Sequence, residues 1–148
     1  MACSIRRARH DDGTVLQAIA SEAYTPYISV MGQVPAPMLA DFETHISNDI
    51  VFVSEIGGEV CGYAVVLFSE SIYWLDNVAV LPGRQGVGMG RALIEAVEAW
   101  VAERTDRYQL YTNIMMVRNI EMYLYLGFVE TGRRVVDGYD RVYFEKRL

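Results

Sequence analysis

The chain has 148 residues, a length that suits one ordinary domain with a buried core. Hydrophobic residues make up 52% of it and charged residues 22%, a balance that excludes an intrinsically disordered chain. The formal net charge of −6 argues against a nucleic-acid-binding surface, which needs clustered Lys and Arg, and fits an amine partner slightly better.

The N-terminal third is predicted to hold one strand, two helices and a long loop. Residues 4–9 are typical of a short, charged edge strand, and Asp12 is placed to N-cap a helix whose apolar residues recur at helical spacing. Residues 24–37 break this periodicity and carry three prolines, which predicts a functional loop. The second, short helix is indicated by Met38, Phe42 and Ile46.

The middle of the chain predicts a hairpin, a further strand and an amphipathic helix. Residues 50–56 and 60–68 are rich in β-forming residues, and Gly57-Gly58 between them is a strong hairpin signal. Residues 72–81 form another strand. The helix from 88 to 101 is the clearest one, because its apolar residues form a single stripe opposite charged residues.

The C-terminal third predicts a strand at 109–112, a short helix at 119–126 and a hairpin that turns at Asp137-Gly138. The hairpin strands are residues 129–136 and 139–146. The element order is therefore β-α-α-β-β-β-α-β-α-β-β. We expect one domain over residues 1–148, with a mixed sheet and helices packed on it.

The two cysteines, Cys3 and Cys61, suggest neither a disulfide framework nor a metal cluster, and Cys61 is expected in the core. No metal is expected, because His10 and His45 also lack nearby ligand residues. The first residues lack the apolar segment of a secretory signal, and the longest apolar run is far shorter than the ~20 residues that span a bilayer. We therefore expect a cytoplasmic protein with no membrane partner.

A glycine-dense turn joins the strand at 72–81 to the helix at 88–101. Its glycines let ligand oxygens approach the main chain, and the helix start offers unpaired N–H groups and the positive end of the macrodipole. Arg84 and Arg91 could add charge. The turn is predicted to bind a pyrophosphate; a turn that only packs the helix against the strand is the alternative.

Two familiar phosphate loops do not match this turn. A P-loop needs Lys and then Ser or Thr after its last glycine, whereas Arg91-Ala92 stand here. A dinucleotide fingerprint needs Gly-x-Gly-x-x-Gly near the first strand, whereas these glycines are spaced by two in the middle of the chain.

The run Gln85-x-x-Gly88-x-Gly90 is similar to the pyrophosphate motif of the GNAT superfamily, the acetyl-CoA-dependent N-acetyltransferases. A second similarity is Tyr123, four residues before Gly127-Phe128 on a predicted short helix. The resemblance spans nearly the whole chain. It implies an α/β (α+β) fold, with a mixed, mostly antiparallel sheet of about seven strands that is splayed at strands 4 and 5 and flanked by about four helices.

In that family acetyl-CoA threads between the splayed strands as the acyl donor. The resemblance implies that its pantetheine arm pairs with the strand before the motif and that its pyrophosphate lies on the loop. The implied cofactor-binding residues are Val78, Ala79, Val80, Gln85, Gly86, Val87, Gly88, Met89, Gly90, Arg91 and Asn119. Asn113 competes with Asn119 for the pantetheine contact.

Acetyl transfer to an amine needs a base for the amine proton and an acid for the departing thiolate. Tyr123 resembles the general acid of the family, and a packing tyrosine is the alternative. Asp76 is the candidate base, with Asn77 as part of a water relay; a solvent-facing carboxylate at a sheet edge is the alternative. Glu22 is a weaker candidate for contact with the acceptor.

The function implied by the resemblance is an N-acetyltransferase that moves an acetyl group from acetyl-CoA to a primary amine by direct attack on the thioester. The acceptor is a small-molecule or protein amine, and the loop at residues 24–38 lies where relatives build their acceptor pocket. The alternative is a non-catalytic acyl-CoA-binding sensor or partner module. The resemblance also admits a homodimer.

Overall fold

The structure, a computed structural model, describes residues 3–148. Within them one sheet carries helices on both faces. The strands are β1 (Ser4–Arg7), β2 (Ile50–Ile56), β3 (Glu59–Ser69), β4 (Ile72–Val80), β5 (Arg107–Asn113), β6 (Val129–Val136) and β7 (Tyr139–Arg147). The helices are α1 (Gly13–Tyr24), α2 (Tyr27–Met31), α3 (Phe42–Asn48), α4 (Met89–Ala102) and α5 (Val117–Tyr125). None of these described helices is long and apolar enough to cross a membrane.

The seven strands lie in the order β1-β2-β3-β4-β5-β7-β6. Every neighbouring pair is antiparallel except β4 and β5, which are parallel. The parallel pair needs a crossover, and α4 supplies it. The predicted mixed, mostly antiparallel sheet of about seven strands is confirmed.

Both predicted hairpin turns are present. Gly57 and Gly58 have φ angles of 60° and 81°, and Asp137 and Gly138 have φ angles of 52° and 81°. Two consecutive residues with positive φ form the turn whose twist matches that of the flanking strands. The turns therefore fix the register of the β2–β3 and β6–β7 pairs.

The predicted loop at residues 24–37 is wrong in part, because α2 lies inside it. Pro26 stands just before the first turn, where its missing N–H is harmless, and Gly32 ends the helix with a φ angle of 70°. A helix of five residues is too short to show a periodic apolar pattern. The predicted second helix begins at Phe42 rather than near Met38, since the Asp41 carboxylate accepts the N–H of Thr44 at 3.1 Å.

Asp12 precedes α1 but does not cap it through its side chain. Its carboxylate instead binds the guanidinium of Arg6 at 2.8 Å and accepts the N–H of Arg9 at 2.7 Å. Glu55 holds the same guanidinium at 2.8 Å. The hydrogen bond from Arg6 lowers the pKa of Asp12 below its ordinary value. This cluster ties β1 to β2 and to the start of α1.

The core lies in two layers, one on each face of the sheet. The apolar stripe of α4 is buried in one layer, as predicted, and Cys61 lies in the same layer with no exposed surface. The other layer joins α1 and α3 to β2, β3 and β4. Each fully buried Leu or Ile contributes roughly 1.5–3 kcal/mol, so these layers hold the sheet in place.

Candidate active site

Strands β4 and β5 diverge in the middle of the sheet. Their parallel pairing covers only two residue pairs, Trp74 with Gln109 and Leu75 with Leu110. Both strands continue beyond these pairs without meeting again. The main-chain groups on the facing edges are therefore left open to a gap. The splay predicted at strands 4 and 5 is confirmed.

A β-bulge at Asp76 marks the point of divergence. Asn77 pairs with Val65 of β3 and Leu75 pairs with Val66, so Asp76 has no partner across the β3–β4 ladder. A bulge bends its strand, increases the local twist and redirects a side chain. Leu75 packs in the layer under α4, whereas Asn77 contacts tyrosines of the opposite layer. The bulge thus leaves Asp76 unpaired at the start of the gap.

The main chain of β4 alternates between β3 and the gap. The N–H of Leu81 donates to the carbonyl of Cys61 on β3 at 2.8 Å. By alternation the main chain of Ala79 also faces β3, while those of Val78 and Val80 face the gap. Among the three residues predicted to pair with a ligand arm, Val78 and Val80 present main-chain groups to that space.

Two side chains donate hydrogen bonds to the main-chain carbonyl oxygens on the edge of β4 that faces the gap. The Tyr24 hydroxyl donates to the carbonyl of Val78 at 2.8 Å, and the Gln85 side-chain amide donates to the carbonyl of Val80 at 3.1 Å. The N–H groups of Val78 and Val80 are consequently the main-chain donors that face the gap. Gln85 also anchors the start of the glycine loop to the end of β4.

The loop before α4 is exposed from Gln85 to Gly88. Gly86 and Gly88 have φ angles of 84° and 83°, and no atom lies within 4 Å of the position that a Cβ would take at either residue. Gly88 is the N-cap of α4 and supplies no side-chain cap. The first N–H groups of the helix have no carbonyl partner within the helix and suit an anionic group. The loop fits a pyrophosphate.

The side chains of this loop contribute little to that fit. Met89 is buried in the core, and Val87 is exposed but apolar. Arg84 pairs with Glu59 at 3.7 Å and Arg91 with Glu95 at 3.3 Å, both on the surface. Exposed ion pairs of this kind are weak, so both arginines can turn toward an anion. The loop offers mainly its main chain.

A cavity of about 900 Å³, counting its open mouth, lies at the gap. Four of the predicted site residues line it, namely Asp76, Val78, Asn119 and Tyr123. The loop at residues 85–91 does not line the cavity. The site therefore has two parts, which we call the glycine loop (residues 85–91) and the cavity.

Tyr123 lies on α5 with its ring in the core. The ring packs against Phe128 and Phe144, with centroid distances of 5.6 and 6.2 Å, and the residue is 5% exposed. Its hydroxyl has no hydrogen-bond partner among residues 3–148. Burial raises the pKa of the phenol above its ordinary value. Tyr123 thus carries a proton that it can donate into the cavity.

Asp76 is partly buried and makes neither an ion pair nor a hydrogen bond through its carboxylate within the described residues. Burial is the main cause that raises its pKa. The neighbouring Asp49 also raises it, while His45 and Arg141 oppose the shift. A carboxylate with a raised pKa is a stronger base and a better match to a proton that leaves an amine.

Asn77, next to Asp76, is 4% exposed and lines the cavity. Its Oδ1 accepts the hydroxyl of Tyr63 at 2.9 Å, whereas its Nδ2 has no partner within residues 3–148. An unpartnered buried donor is costly unless a water or a ligand meets it. This side chain can therefore hold a water beside Asp76.

The two candidate asparagines of the ligand arm both line the cavity. Asn113 uses its Oδ1 to accept the N–H of Met115 at 2.9 Å. Asn119 contacts only the sulfur of Met116, at 3.6 Å, and sulfur is a weak acceptor. The amide oxygen of Asn119 is the freer of the two.

The outer wall of the cavity comes from segments that sequence reasoning located only in part. The predicted acceptor loop supplies Met31, Ala36 and Pro37, as well as Tyr24 at its start. Sequence reasoning missed the cavity positions of His45, Tyr111, Tyr139 and Arg141. They lie on α3, β5 and β7, and the only signal was alternation, which puts Tyr139 and Arg141 on one face of β7. Glu22 is exposed and does not line the cavity.

Comparisons with known proteins agree with this geometry. The sequence profile of the acetyltransferase (GNAT) domain matches residues 47–130. No curated protein sequence matches the chain significantly.

Three solved structures show the same fold. A GCN5-related N-acetyltransferase from Rhodopseudomonas palustris has a TM-score of 0.82 and 19% identity, covering 100% of this chain and 97% of its own. The PaiA N-acetyltransferase from Thermoplasma acidophilum, in complex with coenzyme A, has a TM-score of 0.81 and 15% identity over 100% of both chains. The yncA structure from Salmonella typhimurium, with its cofactor acetyl-CoA, has a TM-score of 0.74 and 21% identity, covering 100% of this chain and 95% of its own.

The family profile spans more than half of the chain and includes β4, the glycine loop, α4, β5 and α5. These are the elements that build the gap and carry the candidate acid-base residues Asp76 and Tyr123. The chain therefore belongs to the GNAT family of acetyltransferases.

Proposed function

We propose that the protein transfers an acetyl group from acetyl-CoA to a primary amine by direct attack of the amine on the thioester. One observation carries the proposal. The gap between β4 and β5 has the glycine-rich start of α4 at one end and a cavity with Asp76 and Tyr123 at the other. An extended ligand with a pyrophosphate at one end and a reactive group at the other fits this arrangement.

The residues that would hold acetyl-CoA are those that present free N–H groups. The glycine loop would bind the pyrophosphate through main-chain donors between Gly86 and Arg91. The N–H groups of Val78 and Val80 would pair with the pantetheine arm as a neighbouring strand would. The amide of Asn119 would contact the same arm from α5. When bound, acetyl-CoA supplies an activated acyl group.

The side chains of the cavity would manage two protons. The amine nitrogen bonds to the carbonyl carbon as the carbon–sulfur bond breaks, so one proton must leave the nitrogen and one must reach the sulfur. Asp76 would accept the first proton, directly or through a water held by the Nδ2 of Asn77. Tyr123 would donate the second, because burial keeps its phenol protonated.

The test is release of free thiol from acetyl-CoA in the presence of a panel of primary amines, followed with a thiol-reactive dye. We expect amine-dependent release, together with an increase in melting temperature when CoA is added. At a 100-fold excess over Kd this stabilisation corresponds to about 2.7 kcal/mol. Stabilisation without any thiol release would favour an acyl-CoA sensor instead. If CoA causes no stabilisation and no amine causes thiol release, the whole assignment is overturned.

A further inference from the structure

Arg141 on β7 is the only arginine that lines the cavity of the described chain. Its guanidinium carbon lies 4.1 Å from the ring centroid of Tyr111. Within residues 3–148 the guanidinium makes no ion pair at 4.0 Å or less, and Asp76 interacts with it only as a more distant charge. A guanidinium stacked on a ring keeps its in-plane N–H groups free, and their geometry matches a carboxylate.

The positive charge of Arg134 raises the electrostatic free energy of Arg141 when no anion is bound to it. The two residues are directly opposite each other on β6 and β7, and like charges at such positions repel. Arg134 stacks on Tyr143 at 4.3 Å but does not line the cavity. An anionic group bound to Arg141 would relieve this repulsion. The arrangement therefore favours a ligand with a negative charge at this wall.

The rest of the cavity indicates what else that ligand carries. Asp76 supplies a negative charge for a cationic or proton-donating amine. Met31, Pro37 and Leu39 add an apolar wall. A neutral amine would leave Arg141 without a partner, whereas an amine that also carries a carboxylate would satisfy both charges.

We propose that the acceptor is an amino carboxylate, an amino acid or a closely similar molecule with an apolar side chain, and that Arg141 binds its carboxylate. This inference rests on the proposed acetyl transfer and specifies the substrate class of the same site. In the bound state the amine lies toward Asp76, the carboxylate pairs with the guanidinium of Arg141, and the apolar side chain lies on the wall at Met31 and Pro37.

The test compares three acceptors of one carbon skeleton: leucine, leucinamide and 3-methylbutylamine. Leucine has the carboxylate, leucinamide replaces it with a neutral amide, and 3-methylbutylamine lacks it. We expect kcat/KM for leucine to exceed that for either neutral acceptor by about 10- to 100-fold, the range expected for a charge-assisted hydrogen bond. The comparison of leucine with leucinamide is stringent, because the amine of leucinamide is the weaker base of the two. It is more often uncharged and would react faster if the carboxylate had no effect.

Variants test whether Arg141 causes the preference for leucine. Arg141→Gln should reduce the ratio of kcat/KM for leucine over 3-methylbutylamine by about 10- to 100-fold, and Arg141→Lys should retain part of it, since lysine keeps the charge but not the planar fork. Arg104→Gln is the matched control. It removes the same charge from a similar ring stack, on Trp100 at the end of α4, outside the cavity, and should change the ratio by less than about 3-fold.

The outcomes separate this inference from the proposed function. Amine-dependent thiol release with equal kcat/KM for leucine and 3-methylbutylamine overturns the inference and leaves acetyl transfer standing. Equal losses in the Arg141→Gln and Arg104→Gln variants assign the preference to general charge and also overturn it. An absence of thiol release with all three acceptors and with the wider amine panel, together with no stabilisation by CoA, overturns both.

Discussion

The glycine loop and the cavity, the two parts of the candidate site, are built in different ways. The glycine loop is a single run of seven residues that offers main-chain N–H groups, and its side chains are either buried, apolar or paired on the surface. The cavity is lined by side chains from α1, the α2–α3 segment, β4, β5, α5 and β7.

The difference between the two parts fits what each is proposed to recognise. A pyrophosphate is the same in every acyl-CoA, so a main-chain cradle of fixed shape is sufficient. An acceptor varies between enzymes, and its recognition needs side chains whose chemistry can change without altering the fold. Substitutions in the glycine loop should therefore act through the backbone, and those in the cavity through the chemistry of a single group.

The largest effect is expected for Gly88→Val. A valine at a φ angle of 83° is strained and places a branched side chain where the pyrophosphate must approach. CoA affinity should fall by at least about 100-fold, as measured by titration calorimetry, since several charge-assisted hydrogen bonds are lost together.

The control for this loss is Gly58→Val. Gly58 has a φ angle of 81° and open space around it, but it lies in the β2–β3 turn. The Gly58→Val variant should lower the melting temperature about as much as Gly88→Val does and leave the CoA affinity unchanged. Normal affinity in Gly88→Val would remove the glycine loop from the binding site.

The next effect is expected for Tyr123→Phe. Loss of the proton donor should lower kcat by about 100-fold or more while the Kd for CoA stays unchanged, because the ring contacts remain. Single-turnover rates and CoA titrations measure the two quantities. Tyr125→Phe, two positions along α5 and 80% exposed, should match the wild type in both. A wild-type rate in Tyr123→Phe across the pH range would leave this tyrosine with a packing role only.

A smaller loss of activity, about 10- to 100-fold in kcat/KM, is expected for Asp76→Asn. The stability of the folded protein at neutral pH, in contrast, should increase. Since burial raises the folded-state pKa of Asp76, its contribution to stability is present below the unfolded pKa and is lost as pH rises through the folded pKa.

Asp76→Asn should therefore raise the melting temperature at about pH 7 and make no difference at about pH 3, where the carboxyl is protonated in both states. Thermal unfolding at the two pH values tests this. A variant that is both fully active and no more stable at neutral pH would contradict the assignment of Asp76 as an ionised base.

The smallest effect is expected for Arg91→Gln. Because the glycine loop binds through its main chain and Arg91 pairs only with Glu95 on the surface, CoA affinity should fall by a few fold at most, and less at high salt. Titrations at two salt concentrations measure it. A loss as large as that of Gly88→Val would show that side-chain charge, rather than backbone, dominates the loop.

The hairpins and the glycine-dense start of α4 could be predicted from local patterns, namely Gly57-Gly58, Asp137-Gly138 and the spacing of glycines after a strand. The splay at strands 4 and 5 was predicted only through the resemblance to the GNAT superfamily. The five-residue helix α2 was not visible, since it is shorter than two helical turns. The roles of Ala79 and the other predicted site residues remain predictions, and the variants above address those of Asp76, Gly88, Arg91 and Tyr123.

The acceptor side of the cavity was only partly accessible to such reasoning. Arg141 and Tyr111 are 30 positions apart and meet because β5 pairs with β7. No local motif records that contact. Likewise, Asp12 was expected to cap α1 because of its position, but Arg6 and Glu55 form a three-residue ion cluster with it that only the β1–β2 pairing brings together.

The unpaired Asp76 has a consequence for how the length of β4 can vary. Upstream of it, Tyr73 and Leu75 pack toward α4; downstream, Val78 and Val80 do so, which makes the spacing across Asp76 three residues instead of two. Removing or adding one residue at Asp76 would change this three-residue spacing to an even one. Every later side chain of the strand would then face the wrong core layer. This strand should therefore tolerate the exchange of a side chain better than the insertion or deletion of a residue.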